Sequence, residues 1–195
     1  MTLANASTNA SNFYGINKSA TAGTIIISNN TIGSTSTAGS IRASSLSTGN
    51  AQAVRGIYNA GTGAITISGN TIANLTNSTT NATTTTLGKI NGIFSSSGTN
   101  NTISDNIIHH LTISNANNQT GLNVSVCGIA LTGPTLRDVS GNTIYNLANT
   151  YATYTGYITG LFFIGSTGGN TISRNFIHSL SVSSSSATIY GIQIN

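Results

Sequence analysis

Residues 68–75 read SGNTIANL and residues 140–147 read SGNTIYNL, one unit written twice with a single change. Working outward, Asn-x-Ile recurs as Asn30-Thr31-Ile32, Asn70-Thr71-Ile72, Asn106-Ile107-Ile108, Asn142-Thr143-Ile144 and Asn175-Phe176-Ile177. A second mark, Gly before an aliphatic residue, falls at Gly15-Ile16, Gly56-Ile57, Gly92-Ile93, Gly128-Ile129, Gly160-Leu161 and Gly191-Ile192, at intervals of 41, 36, 36, 32 and 31 residues. The two marks keep a fixed phase. From each Gly to the next Asn is 14 or 15 residues, whereas from Asn to the following Gly is 26, 22, 22, 18 and 16. All the length variation falls in one segment. That is the mark of a solenoid, because a coil can lengthen only where extra residues loop out without disturbing the coils beside it.

Within the constant segment the rhythm is that of a strand. Ile65-Thr66-Ile67-Ser68 alternates apolar and polar, a Gly-Asn corner follows, and Thr71-Ile72 resumes the alternation. Asn tolerates the left-handed backbone region and its amide bonds locally, so an Asn at the same bend of every coil can stack on its copies. The predicted ladder is Asn30, Asn70, Asn106, Asn142 and Asn175. The same register places Phe13, Val54, Ile90, Val126, Ile158 and Ile189 in one core row and Leu75, Leu111, Leu147 and Leu180 in another. The Gly before each aliphatic residue marks a bulge or bend, since strict alternation fails across it.

Composition agrees. The chain has 195 residues, of which 37% are hydrophobic and only 4% charged, against roughly 25% charged in average domains. Ser, Thr, Asn and Gly dominate, which disfavours helix, while Thr and Ile favour strands. The net charge of +4 comes from scattered Lys18, Arg42, Arg55, Lys89, Arg137 and Arg174 against Asp105 and Asp138, with no basic cluster that would suit nucleic acid. The one cysteine, Cys127, sits in the apolar stretch VSVCGIAL and reads as an inert thiol, and no His/Cys cluster suggests zinc. No run is long and apolar enough to span a membrane. The neutral, hydroxyl-rich composition suits an extracellular or cell-surface setting.

The Asn-Thr-Ile corners and Gly-Ile-Tyr openings resemble right-handed parallel β-helix repeats of the pectin-lyase-like superfamily, especially those in large secreted surface proteins of gliding bacteria. The resemblance covers residues 13–195. The expected fold is therefore all-β: a right-handed parallel β-helix of about five coils with variable insertions on one side, preceded by a lead-in over residues 1–12. A left-handed β-helix would need a six-residue rhythm that is missing, and a β-propeller would need blade motifs.

Enzymes of that superfamily work through clustered acidic residues, which bind calcium or act as acid and base. This chain has two carboxylates. Asp105 takes the turn position filled by Asn29, Gly69, Gly141 and Arg174 in other coils, and Asp138 can pair with Arg137 or Arg174. The expectation is a protein that is not an enzyme and needs no cofactor or metal. Contact surface is expected instead from outward aromatics. One column holds Tyr58, Phe94 and Phe162, another His109, Tyr145 and His178, and the insertion YATYTGY adds Tyr151, Tyr154 and Tyr157. A rank of Ser28, Ser68, Ser104, Ser140 and Ser173 beside Thr66, Thr102 and Thr171 raises ice binding as a minor alternative, interrupted by Ile26 and Asp138.

A solenoid has an unpaired edge at each end, and no capping segment is evident. The expected function is a structural or adhesive subunit, of a kind that can form fibres. Its expected partners are further copies stacked end to end or another surface protein. The alternative is a carbohydrate-binding or polysaccharide-degrading protein.

Overall fold

In the computed structural model, which describes residues 1–5, 9–19, 23–81, 83–84, 87–133, 136–165 and 168–195, the chain winds as a parallel β-solenoid of about five turns. Strand β1 (Thr2–Asn5) comes first, then β2 (Phe13–Lys18), β3 (Ile25–Ser28), β4 (Thr31–Gly33) and β5 (Ile41–Ser45) in the first coil. The second coil holds β6 (Gln52–Asn59), β7 (Ile65–Ser68) and β8 (Thr71–Thr79), and the third β9 (Gly88–Ser95), β10 (Asn100–Ser104) and β11 (Ile107–Ile113). The fourth holds β12 (Val126–Leu131), β13 (Leu136–Ser140) and β14 (Thr143–Asn149), and the fifth β15 (Tyr157–Phe163), β16 (Thr171–Ser173) and β17 (Phe176–Val182), after which β18 (Thr188–Ile194) pairs with β15.

Three parallel sheets result. The first runs β2-β6-β9-β12-β15-β18, the second β3-β7-β10-β13-β16, and the third β1-β5-β8-β11-β14-β17 with β4 also on β8. Like residues stack: Ile57 lies between Ile16 and Ile93, Ile67 between Ile27 and Ile103, and Ile72 between Ile32 and Ile108. Burying each aliphatic side chain stabilises the fold by roughly 1.5–3 kcal/mol, and the inner coils bury theirs completely. The two expected core rows behave this way at Val54, Ile90, Val126, Ile158, Leu75, Leu111 and Leu147. At the rod ends Phe13 and Leu180 are half-buried and Ile189 is exposed, having only one neighbouring coil.

Five of the six glycines that precede an aliphatic residue are required by close approach. A Cβ on Gly92 would lie 2.5 Å from Ile108 Cγ2 and 2.7 Å from the carbonyl oxygen of Gly128 in the next coil, and Gly15, Gly56, Gly128 and Gly160 face the same two obstacles. The Gly-Ile and Asn-x-Ile marks therefore keep phase because they meet across the core of the same coil.

Three expectations are refined. The left-handed residue at the corner is the one before the ladder Asn: Asn29, Gly69, Asp105, Gly141 and Arg174, with φ of 56, 64, 56, 68 and 54°. A second left-handed position recurs inside the third sheet at Asn74, His110, Asn146 and Ser179, just before the core Leu. Residues 34–40 loop out at that second bend, between β4 and β5, which lengthens the first coil. The other connections of variable length leave the third sheet and return to the first. Finally, the lead-in carries β1, which pairs with β5 and so adds part of a further rung.

Candidate interaction surfaces

The asparagine ladder is formed by all five residues. Asn30, Asn70, Asn106 and Asn142 each donate their backbone N–H to Oδ1 of the next Asn at 3.0–3.1 Å, and their Nδ2–H to the same oxygen at 2.9–3.0 Å. The other Nδ2–H reaches back one coil in Asn70, Asn106, Asn142 and Asn175, to the carbonyls of Ile27, Ile67, Ile103 and Val139. The amides of the middle three are fully buried, so the corner satisfies backbone groups that a turn would otherwise leave unpaired in the core.

On the outer face of the first sheet, the expected aromatic stripe exists but half of it is covered. Tyr14, Tyr58 and Phe94 follow one another with ring centroids 5.3 and 5.7 Å apart. The Arg55 guanidinium lies 4.3 Å from the Tyr58 ring and 4.2 Å from the Phe94 ring, and its Nε donates to Asn91 Oδ1 at 3.4 Å. Residues 114–125, with a 3-10 turn at Gly121–Asn123, fold over the stripe and pack Leu122 and Val124 against Phe94, Cys127, Ala130 and Phe162. Phe94 is 7% exposed and Phe162 0%, so neither presents a free ring, contrary to the expectation from alternation alone. Tyr58 stays half-buried. Lys89 ties the loop down by donating to Asn123 Oδ1 at 3.0 Å, and burial, with Arg55 adding repulsion, brings its pKa down to about 8.

The third sheet carries the expected column, as a stack. His109 lies over Tyr145 at 4.8 Å and 13°, and Tyr145 over His178 at 5.0 Å and 4°. The flat faces are therefore spent on one another, and edges point outward. A sugar that needs an open ring face finds none at Tyr145. His109 is buried, with its Nδ1 2.7 Å from Nδ1 of His110, and its pKa lies below the usual imidazole value because of burial first and His110 second. His110 Nε2 in turn meets Asn146 Nδ2 at 3.1 Å. The left-handed backbone of His110 is what turns its ring back onto its neighbour, a juxtaposition that adjacency in sequence does not reveal.

In the YATYTGY insertion the three tyrosines separate. Tyr151 is half-buried against the main core, and Tyr157 stacks on Tyr190 at 5.6 Å and 15°. Tyr154 is fully buried, its hydroxyl 2.7 Å from Ser125 Oγ, because the short connection folds its ring into the end of the core rather than outward. Asp105 and Asp138 are both exposed, and the strand register sets Asp138 beside Thr102, three residues from Asp105. Among the described residues, neither forms an ion pair. Arg137, expected as a partner of Asp138, instead points inward in the column of Ile65 and Asn101, donating to the carbonyls of Ile164 and Gly133. No group of three or more His, Cys, Asp or Glu that could hold a metal occurs among the described residues, and no helix is long and apolar enough to cross a membrane.

Two further sets of buried amides escaped sequence reading. Where the third sheet ends, Asn115 donates to the carbonyl of Asn81, and Asn149 to that of Asn115 at 2.8 Å. Where the first sheet ends, Asn59 donates to Ser95 Oγ at 2.9 Å and Ser95 to Asn101 Oδ1 at 3.0 Å. The recurrence of Asn81, Asn115 and Asn149 at 34-residue intervals in successive coils was the available signal, hidden by the abundance of Asn elsewhere.

The remaining large apolar exposure is mostly at the rod ends. Ile189, Ile192 and Ile194 are 43, 45 and 65% exposed on β18, and Ile25 and Ile26 are 37 and 69% exposed on β3. Strands β16, β17 and β18 each pair on one side only, as do β2, β3 and β4 at the opposite end. Comparison with protein-family models, curated protein sequences and solved structures returns no match to the chain.

Proposed function

We propose that the chain is a structural and adhesive β-solenoid of the cell exterior, a rigid rod of low charge density able to serve as a fibre subunit. The observation that carries this reading is the repetition itself: like residues stack through about five parallel coils, and the edge of a parallel coil is a template for one more. The scarcity of charge, 4% of residues, adds support, since few like charges oppose a stacked neighbour. The resemblance of the corners to pectin-lyase-like repeats of secreted surface proteins points the same way. The partners are further copies, or another surface protein with a matching coil. Electron microscopy of the purified chain over a concentration series tests this. Filaments with an axial repeat of roughly 29 Å per copy, from the six strands of the first sheet at about 4.8 Å each, are expected. Dispersed monomers at every concentration would overturn the fibre.

A second reading is favoured by one feature, a groove on the outer face of the third sheet lined by Arg42, Thr76, Ser78, Thr112, Ser114 and Thr150. Its hydroxyls suit a neutral polysaccharide. A glycan array on which Arg42→Ala and Thr112→Ala abolish saturable binding would establish this reading; an unchanged array would remove it.

A further inference from the structure

One column of the second sheet changes character inside the rod. It begins with Ile25 and Ile65, continues as Asn101 in β10 and Arg137 in β13, and Asn170 takes the same place in the coil after. Asn101 and Arg137 are 1 and 2% exposed. Polar groups so deep are normally paired. The amide oxygens of this column are: Asn101 Oδ1 accepts from Ser95 Oγ at 3.0 Å, and Asn170 Oδ1 from the Arg137 backbone N–H at 3.1 Å. The two ends of the guanidinium are as well, on the carbonyls of Ile164 and Gly133. What the column leaves over, among the described residues, is two donors on neighbouring rungs, Arg137 Nε and Asn101 Nδ2.

Charge points the same way. The chain has two carboxylates, and neither faces this guanidinium: alternation along β13 puts Asp138 on the outer surface, and Asp105 is exposed too. Burial holds the Arg137 pKa below its ordinary value, with no attractive partner to offset it. A cation left unpaired in a core is costly, and a countercharge relieves that cost. A surface cleft lined by Asn101, Arg137, Thr102, Asp138 and Thr171 reaches the two residues from outside.

We propose that Arg137 and Asn101 form a binding site for a small monovalent anion of chloride size, held by the Nε–H of one coil and the Nδ2–H of the coil beside it. A water molecule could accept both hydrogen bonds, but it would leave the charge uncompensated and would need acceptors for its own two hydrogens. The Asp138 carboxylate in the wall of the cleft opposes a multiply charged ion such as sulfate, and burial opposes a large one. Once bound, the anion ties the third coil to the fourth and makes the stability of the rod depend on the halide around it.

The test follows thermal unfolding of the full chain at constant ionic strength while sodium gluconate, whose anion is too large for the site, is exchanged for sodium chloride. The midpoint should climb with chloride, the unfolding constant falling about tenfold when chloride stands about tenfold above its Kd. Arg137→Met puts an uncharged chain in the same place and should lose that dependence, whatever its own stability. Crystals of the parent soaked in sodium bromide should show an anomalous peak within hydrogen-bond reach of Arg137 Nε. A midpoint indifferent to chloride, an equal response in Arg137→Met, or an ordered water in place of bromide would overturn the site. A bromide peak without stabilisation would mean an adventitious ion only, and would overturn it too. Should Arg137→Met fail to fold, the chloride dependence of the parent and the bromide map decide by themselves.

Discussion

The backbone N–H and the Nδ2–H of Asn106 converge on one oxygen, Oδ1 of Asn142, at 3.0 and 2.9 Å. The Oδ1 of Asn106 receives the same pair of donors from Asn70. Replacing Asn106 by Ala therefore strands two buried donors, at an expected cost of about 3 kcal/mol. Asn30→Ala leaves no orphan, because no donor among the described residues reaches its Oδ1, and should cost about 1 kcal/mol. Urea midpoints of the two variants check this; equal losses would show that the ladder is not the source.

Gly92→Ala is expected to be among the worst single changes. The new methyl meets the Gly128 carbonyl oxygen at 2.7 Å and Ile108 at 2.5 Å, and neither can retreat without moving a strand. A loss of about 3 kcal/mol or more is expected in thermal or urea unfolding. A variant as stable as the parent would mean that the columns are spaced more loosely than the structure has them.

What could be read beforehand was whatever repeats. The five ladder asparagines, the two apolar rows and the phase of Gly against Asn recur coil after coil, so each copy corroborated the others. What a single loop does was not legible. Phe94 and Phe162 sit at outward positions, and only the loop above them makes that face a second core. The signal was present in Leu122 and Val124, two apolar residues in an otherwise polar stretch. Parity in LRDVS likewise gave the direction of Arg137: if Val139 points inward, so does Arg137. The histidine pair was hidden for another reason, since a left-handed residue breaks the alternation on which placement relied.

Lys89 should give stability an unusual alkaline slope. Its pKa is lowered from 10.5 to about 8 in the folded chain, by burial first and by Arg55 second. Between those values the unfolded chain holds a proton that the folded one has lost, so stability rises with pH across that window and is lost again as pH falls through 8. Lys89→Met removes the slope. Identical profiles for parent and variant would contradict the burial of this ammonium.

The histidine pair predicts acid sensitivity. His109 binds its proton more weakly folded than unfolded, so its contribution is complete above the ordinary value of 6.5 and falls as pH drops through the lowered one. His109→Phe preserves a ring over Tyr145 and should flatten that acid limb. Titration of the imidazole resonances by NMR provides the direct check: a His109 midpoint at or above 6.5 is incompatible with the observed packing.

Cys127 should resist thiol reagents until the chain unfolds. It is completely buried, its Sγ donates to the carbonyl of Ile129 at 3.2 Å, and burial pushes its pKa up to about 12. Aromatic disulfide reagents in native buffer should release little colour, and full release should track denaturation. Prompt native reaction would mean that the loop over the first sheet opens readily.

The connections at residues 114–125, 150–156 and 183–187 all depart along one margin of the molecule, between the third sheet and the first. Elsewhere, apart from residues 34–40 and one extra residue between the first and second sheets in the first and fifth coils, the coils keep one length. Diversification is thereby channelled into a narrow strip down the long axis, where segments can be swapped or enlarged while the scaffold stays as it is. Whatever distinguishes one variant of this protein from another would be presented to the outside from that strip.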